Sequence, residues 1–591
     1  MLMKNTIYIA ALSLVTTIGV AQNLQEAVKK TESERFESAA ADLRALIAKE
    51  PNKGENYFYL GENYFNSGKL DGFQGGELDT ANIFYAKGVE MNPTNPLNYI
   101  GLGKVLLAKN NVNDAKAQFF KAASIAQNKN AEVMRRTAEA WLATDNKNPD
   151  EAINQANNAI KLEPKNSENY IILGDAQLEK TPTDGGPAIK SYKTATTLNP
   201  KSAKGIIREG KLYQRGRNYQ LALDKYKEAE TIDATFAPAF REKAELFFLA
   251  GQNAKSIENW KKYLELNNSD FARYRFMSAL FKNKQYAEAI AEYENLKKNN
   301  FKNVYLDRIA AYSYYEMGDK TDKDAYIKGN KALNDFFGGA GPNFKYLGSD
   351  YKYKGLLMMK TGQDSLGIIE MEKGVALDPI IAGDIYSEIA NHFYKNKKYD
   401  KAITYYEKKI ALDPKTLGLT GTEKLISNLN NNDWFNLGRS YYFLAGSKYQ
   451  TIATIKDVKQ RSQKEAELIP LYVQADSAFS KLVRLNPSWP TAYTWRGRAN
   501  ASADPKVEKD LAKFQYEQVL ATIKPEEKAT TYKRDVIEAY EYLGYYYVTK
   551  KDKAKADEMF NALKEIDPNN QKAKDYFTPP KPQQGTKPKG K

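Results

Sequence analysis

The sequence predicts an all-α protein built from repeated helix pairs, and three periodic features carry that expectation. The pattern aromatic-x-x-Leu-Gly-x-x-aromatic occurs at Tyr57/Leu60/Gly61/Tyr64, Trp434/Leu437/Gly438/Tyr441 and Tyr540/Leu543/Gly544/Tyr547. A small residue recurs at Ala152, Ala188, Ala222, Ser256 and Ala289, in steps of 36, 34, 34 and 33, each followed one helical turn later by Ala156, Tyr192, Tyr226, Trp260 or Tyr293. Acidic-Pro or Asn-Pro pairs punctuate the pattern at Glu163-Pro164, Asn199-Pro200, Asp378-Pro379, Asp413-Pro414 and Asp567-Pro568.

Each feature has a packing reason. A small residue and a side chain one turn later share a helix face, which is what two closely packed helices need. Gly61, Gly103, Gly174, Gly210, Gly438 and Gly544 fall inside predicted helices, where glycine costs about 1 kcal/mol relative to alanine. That cost is tolerable where another helix must approach the backbone. Proline lacks the amide hydrogen and pushes the preceding residue out of the helical region, so it ends the second helix of a pair.

Together these residues resemble the tetratricopeptide repeat, a helix-turn-helix unit that stacks on its neighbours. The resemblance implies a right-handed superhelical solenoid of about 13 helix pairs in two halves. It also implies a binding scaffold, with ligands on the concave surface made by the first helix of each pair.

Taken in order, residues 1–21 read as a secretory signal peptide: Lys4, then the apolar run Thr6 to Val20, ending Gly19-Val20-Ala21 with no acidic residue. The N-terminal repeat array spans 22–337. Its first helical segment, 24–48, ends before Pro51, and an insertion from Leu70 to Glu77 lengthens one turn. Repeats continue from Pro93 to about Asn300, followed by a divergent pair around Tyr312 and Ala325. The stretch Phe336-Phe337-Gly338-Gly339-Ala340-Gly341-Pro342 replaces the usual closure, so 338–349 is assigned as an irregular Gly-rich joint. No Gly-Lys-Ser/Thr follows and no strand precedes it, which argues against a phosphate-binding loop.

The C-terminal array spans 350–577. It resumes at Tyr351/Gly355/Met358 and runs through Tyr386/Ala390/Phe393 and Trp434/Leu437/Gly438/Tyr441 to a charged insertion at 445–467. The partner helix then shows at Ala475/Phe479/Leu482, two units follow around Trp495 to Leu520 and Tyr540 to Pro568, and 570–577 reads as a capping helix. Residues 578–591 form a basic tail rich in Pro, Gly, Gln and Lys, expected to be disordered and capable of weak contact with an anionic surface.

Composition bounds the chemistry. The chain has no cysteine, which removes disulfides, thiolate metal sites, cysteine nucleophiles and a lipidation site. No later segment offers the roughly eighteen consecutive apolar residues of a membrane span. The formal charge of +15 includes only Lys4 from the leader, leaving +14 afterwards. Basic residues alternate with acidic ones, as in Arg241-Glu242-Lys243, so they read as solvated helix faces rather than a nucleic-acid surface. A Lys-, Asn- and Tyr-rich composition points to a Gram-negative source, and so to a soluble periplasmic protein.

Counting from the Leu-Gly landmark, the expected outward positions are Phe58, Glu62 and Phe65, then Ile100, Lys104 and Leu107, then Ile207, Lys211 and Arg215, then Phe435, Arg439 and Tyr442, and last Glu541 and Tyr545. Aromatic and charged groups together suit protein recognition. The two-carboxylate-clamp members of the resembled family bind C-termini through Lys, Asn and Arg; Lys104, Lys211, Arg215 and Arg439 echo that set only partly, so the specificity is not carried over. His392 is the only histidine and sits beside packing positions, a structural role. With one histidine and no cysteine, no metal, cofactor or His-dependent triad is expected, and the chain reads as a non-enzyme. Plentiful Asp and Glu leave a carboxylate-only glycosidase possible by inventory, but no pair stands out. Asp79-Thr80-Ala81, Asp364-Ser365-Leu366 and Asp476-Ser477-Ala478 resemble an O-glycosylation acceptor of Gram-negative envelope proteins. The expected function is an exported scaffold for envelope proteins of secretion, motility or outer-membrane assembly machinery; the alternative is a glycan- or peptidoglycan-binding protein.

Overall fold

The computed structural model describes residues 23–73, 76–318, 322–412 and 431–578. The expected leader at 1–21, the expected Asp413-Pro414 closure and the expected basic tail beyond 578 lie outside them. The chain divides into two compact units, 1–342 and 343–591. The described residues form an all-helical repeat fold, as the sequence predicts, with nine helix pairs in the first unit and five in the second.

The first unit opens with α1 (Leu24–Glu32), α2 (Phe36–Lys49), α3 (Gly54–Asp71) and α4 (Glu77–Met91). It continues with α5 (Pro96–Ala108), α6 (Val112–Ile125), α7 (Ala131–Leu142), α8 (Pro149–Leu162), α9 (Ser167–Lys180) and α10 (Gly186–Leu198). Then come α11 (Ala203–Arg215), α12 (Tyr219–Ile232), α13 (Ala237–Leu249) and α14 (Asn253–Leu266). It ends with α15 (Asp270–Lys282), α16 (Tyr286–Lys298), α17 (Val304–Met317) and α18 (Ala325–Gly339). Gly338 and Gly339 thus finish a helix, and the irregular chain begins after them.

The second unit contains α19 (Gly348–Lys360), α20 (Asp364–Leu377), α21 (Ala382–Lys395) and α22 (Tyr399–Ile410). After the undescribed stretch come α23 (Asn431–Ile452), α24 (Val458–Ala466), α25 (Ile469–Leu485), α26 (Pro490–Ala503) and α27 (Lys513–Thr522). It closes with α28 (Lys533–Thr549), α29 (Lys553–Ile566) and α30 (Gln571–Phe577). The charged 445–467 stretch first lengthens α23 to 22 residues and then forms α24, a helix with no buried residue.

The repeat glycines are where helices meet. A Cβ on Gly174 of α9 would lie 2.4 Å from the Tyr192 ring of α10, and one on Gly438 of α23 would lie 2.6 Å from the Phe479 ring of α25. The aromatic of the second helix therefore rests on bare backbone of the first, as the spacing requires. In α19/α20 the aromatic is absent, and Gly355 instead packs on the Gly367 backbone. Before each described closing proline, Glu163, Asn199, Asp378 and Asp567 hold φ/ψ near −131/74°, −136/86°, −137/87° and −140/88°. These values lie outside the α region, which a following proline disfavours.

First helices of successive pairs touch each other, as in α3 with α5, α5 with α7, α7 with α9 and α26 with α28, whereas second helices make at most marginal contact. Each unit therefore curves with its first helices inside. Among the described residues no helix is long and apolar enough to cross a membrane. The cap α30 is preceded by Asn570, whose side chain accepts from the Ala573 amide at 3.2 Å, and it stacks Tyr576 on Phe560 with ring centroids 4.3 Å apart.

Candidate functional site

The inner face of the first unit is lined by charges that neutralise one another. Lys104 on α5 reaches Glu62 on α3 at 2.7 Å, Tyr85 donates to the same carboxylate at 2.7 Å, and the Lys104 ammonium lies 4.7 Å from the Phe65 ring centroid. Further along, Arg136 pairs with Glu139 at 2.8 Å, and Arg208 donates to Asp175 at 3.0 Å, which also accepts from Tyr192 at 2.7 Å. Burial pushes the Glu139 carboxyl up, but the charges of Arg136, Lys204, Arg135 and Lys104 outweigh it and hold the group at about 2.

This arrangement corrects the outward reading of several positions. Phe58, Phe65, Ile100, Leu107 and Ile207 are buried, as are both partners of the Glu62–Lys104 pair. The neighbouring helix pair covers them, because consecutive first helices approach closely enough for a lysine on one to bridge to a glutamate on the other. Lys211 is exposed but bridges to Glu242 at 3.3 Å, and Arg215 is exposed at the end of α11.

The turn between α1 and α2 lies against this inner face. Glu34, with a left-handed φ of 55°, accepts two hydrogen bonds from Arg241 on α13, at 2.8 and 3.1 Å, and one from the Tyr263 hydroxyl on α14 at 2.8 Å. Lys204 joins Glu32 at 3.0 Å and Glu168 at 2.7 Å, and Arg35 donates to Thr235 at 3.4 Å. Burial, followed by the Glu34 charge, pushes the Tyr263 phenol well above its ordinary value, so it remains a donor. Nothing local in the sequence signals these contacts.

Lys69, near the end of α3, has a side chain open to solvent. Crowding by surrounding atoms, then the like charges of Lys104, Arg208 and Lys147, lowers its pKa to about 8, against a smaller opposing effect of Asp175.

The second unit's inner face is different. Arg439 on α23 sits among the rings of Tyr394 on α21, Phe435 and Phe443 on α23, and Trp495 on α26, with centroid distances of 5.4, 5.4, 5.5 and 5.3 Å. Trp495 carries a second guanidinium, Arg498, at 4.5 Å; that one is neutralised by Glu538 at 2.6 Å. Phe435 belongs largely to the packing, with Trp489 at 5.4 Å and Phe479 at 6.0 Å. Tyr442 is half-buried against Trp495 at 5.6 Å, whereas Tyr545 on α28 is 51% exposed. Glu541 is tied to the cap through Asn570 at 2.7 Å and Lys572 at 2.6 Å. The sequence pattern brings out Phe435, Arg439 and Tyr442 but not Tyr394 or Trp495, which come from neighbouring repeats.

Other positions fall outside these faces. His392 Nε2 lies 3.1 Å from Asp364 Oδ2, and its ring meets Phe393 edge-on. Thr80, Ser365 and Ser477 all lie within helices, and Thr80 donates to the Gly76 carbonyl at 3.1 Å. A cleft of about 430 Å³ opens between α6 and α7 beside Phe120, which is 77% exposed, with Phe119, Met134 and Trp141 in its wall.

Tetratricopeptide-repeat family models match residues 100–169, 383–416 and 537–570. The chain is similar to the C-terminal part of a TPR repeat-containing protein of Cytophaga hutchinsonii, at 31% identity, covering 51% of this chain and 98% of that one with a TM-score of 0.38. The pilF protein of Pseudomonas aeruginosa is 18% identical, with 37% of this chain and 94% of that one covered at a TM-score of 0.25. The CTR9 homolog of Arabidopsis thaliana is 24% identical over 194 residues, 31% of this chain. The chain spans only 16% of the length of that curated relative.

Proposed function

Because this chain belongs to the tetratricopeptide-repeat proteins, we propose that it is an exported scaffold that binds other proteins of the cell envelope through the inner face of its helix stack. The observation that carries this reading is the half-buried patch of Tyr394, Arg439, Tyr442, Phe443 and Trp495 on the second unit. Tyr, Trp and Arg are the side chains that dominate protein interfaces, because each offers a large apolar body with a polar or charged edge. First helices preformed in a stack present that patch with little ordering cost on binding.

Export to the periplasm is supported by the leader-like residues 1–21 and by a cysteine-free chain that needs no redox protection. Components of secretion, motility or outer-membrane assembly machinery are the partners in view. The basic residues beyond 578 add a weak electrostatic contact with an anionic surface.

Crosslinking mass spectrometry in intact cells, with the chain tagged before residue 578 and the envelope fractionated, tests the reading. Crosslinks from a small set of envelope proteins to the chain support it. Recovery of the chain in the cytoplasm, or retention by the cell wall that is lost on muramidase treatment with no protein crosslinks, overturns it.

A further inference from the structure

Several arginines of the inner faces are each paired with a carboxylate, and Arg439 differs from them. Arg208 has Asp175, Arg241 has Glu34, Arg496 has Asp476 and Arg498 has Glu538, each with a contact of 3.0 Å or less. Arg439 has no such partner among the described residues, and its enclosed Nε has no hydrogen-bond acceptor. Four aromatic rings take the place of the carboxylate. Rings attract a guanidinium through their faces but offer its N–H groups no lone pair in the guanidinium plane, so the hydrogen-bonding capacity stays unused.

The first unit shows how such a capacity is filled. At Arg241, an internal glutamate from a distant part of the chain enters the inner face and takes two guanidinium hydrogen bonds, with the Tyr263 hydroxyl completing the carboxylate's shell. Glu34 is carried by a turn, not by a chain end, and its backbone adopts a left-handed φ of 55° there. Arg439 offers the same guanidinium, likewise on a first helix, with aromatic side chains around it and no acid paired with it among the described residues.

We propose, resting on the scaffold reading, that Arg439 with Tyr394, Phe443 and Trp495 forms a docking site for an internal Asp or Glu side chain of a partner polypeptide, flanked by apolar residues that pack on the rings. Charge complementarity selects the acid, because Arg439 has no carboxylate partner among the described residues. The rings select the apolar flanks and exclude water, which strengthens the ion pair.

The test uses the full chain and three pools of synthetic nonapeptides with apolar and neutral flanks: central Glu with both ends blocked, central Gln with both ends blocked, and central Gln with a free C-terminus. Retention on the immobilised protein is compared for wild type, Arg439→Gln and Arg439→Lys, with far-UV circular dichroism confirming that each variant is helical. The proposal expects wild type to retain the Glu pool about tenfold over either Gln pool. The preference should vanish in Arg439→Gln and be weakened in Arg439→Lys, which keeps the charge without the planar fork. Should Arg439→Gln lose helicity, Arg439→Lys alone still decides. Equal retention of the blocked Glu and Gln pools, or a preference that survives in both variants, overturns the proposal and leaves the scaffold reading intact. Preference for the free-carboxylate pool overturns it in favour of chain-end recognition. Failure of wild type to retain any pool counts against both.

Discussion

Glu34 and Arg241 are 207 residues apart in the chain and meet in a two-hydrogen-bond ion pair that fastens the N-terminal turn to the inner face of α13. The pair is well shielded, and Tyr263 adds a third hydrogen bond to the carboxylate. Glu34→Gln removes the charge while Arg241 keeps Glu242 at 2.8 Å, so the expected loss is about 2 kcal/mol, below that of a fully stranded buried ion. Hydrogen exchange should quicken in α1 and α2 first. Unchanged protection there would show that the turn is held by other contacts.

Glu139 makes acid stability testable. Its carboxyl titrates at about 2 in the folded protein, below the ordinary 4.5. A depressed carboxylate contributes stability that is fully present above the unfolded value and fades as pH falls from 4.5 toward 2. The contribution is of order 3 kcal/mol at neutral pH. Arg136→Gln should flatten the acid limb of a thermal-midpoint profile between those pH values, and an identical limb in both proteins would contradict the assignment.

Lys69 should be unusually nucleophilic. With a pKa of about 8 it is substantially neutral in mildly alkaline buffer, whereas ordinary lysines are not. Quantitative acylation followed by peptide mass spectrometry should place it among the fastest-reacting lysines at pH 8. Lys104→Met, by removing a like charge, should slow it; a faster or unaltered rate would argue against that electrostatic origin.

Glycine substitutions should separate packing from propensity. Gly174→Ala puts a methyl 2.4 Å from the Tyr192 ring and should cost about 1–3 kcal/mol through forced repacking. Gly338→Ala, in the last turn of α18 with open space around it, should be neutral or stabilising by up to about 1 kcal/mol. Thermal denaturation of both variants checks the contrast, and equal effects would remove the close-approach explanation for the repeat glycines.

The same residues mark how far local sequence reaches into the fold. The pairing of Gly174 with Tyr192 is legible because both residues belong to one repeat, and the small-residue period places them on facing helices. Glu62 and Lys104 are misplaced by the pattern because spacing along one helix gives a direction from its axis, not whether the next pair covers it. The meeting of Glu34 and Arg241 depends on the curvature accumulated over many repeats, which no local pattern encodes. Arg439 lies between these cases. Its own helix marks Phe435, Arg439 and Tyr442, while Tyr394 and Trp495 join the site only through the stacking of neighbouring repeats.

Site-specific photocrosslinking can decide whether the inner face of the second unit binds protein. Tyr442 and, separately, the exposed Phe120 on α6 would each be replaced by p-benzoylphenylalanine and irradiated in intact cells. Binding at the inner face should give discrete protein adducts from position 442 that disappear with Arg439→Gln, and few from position 120. Adducts from position 120 alone, or adducts at 442 unaffected by Arg439→Gln, would contradict it.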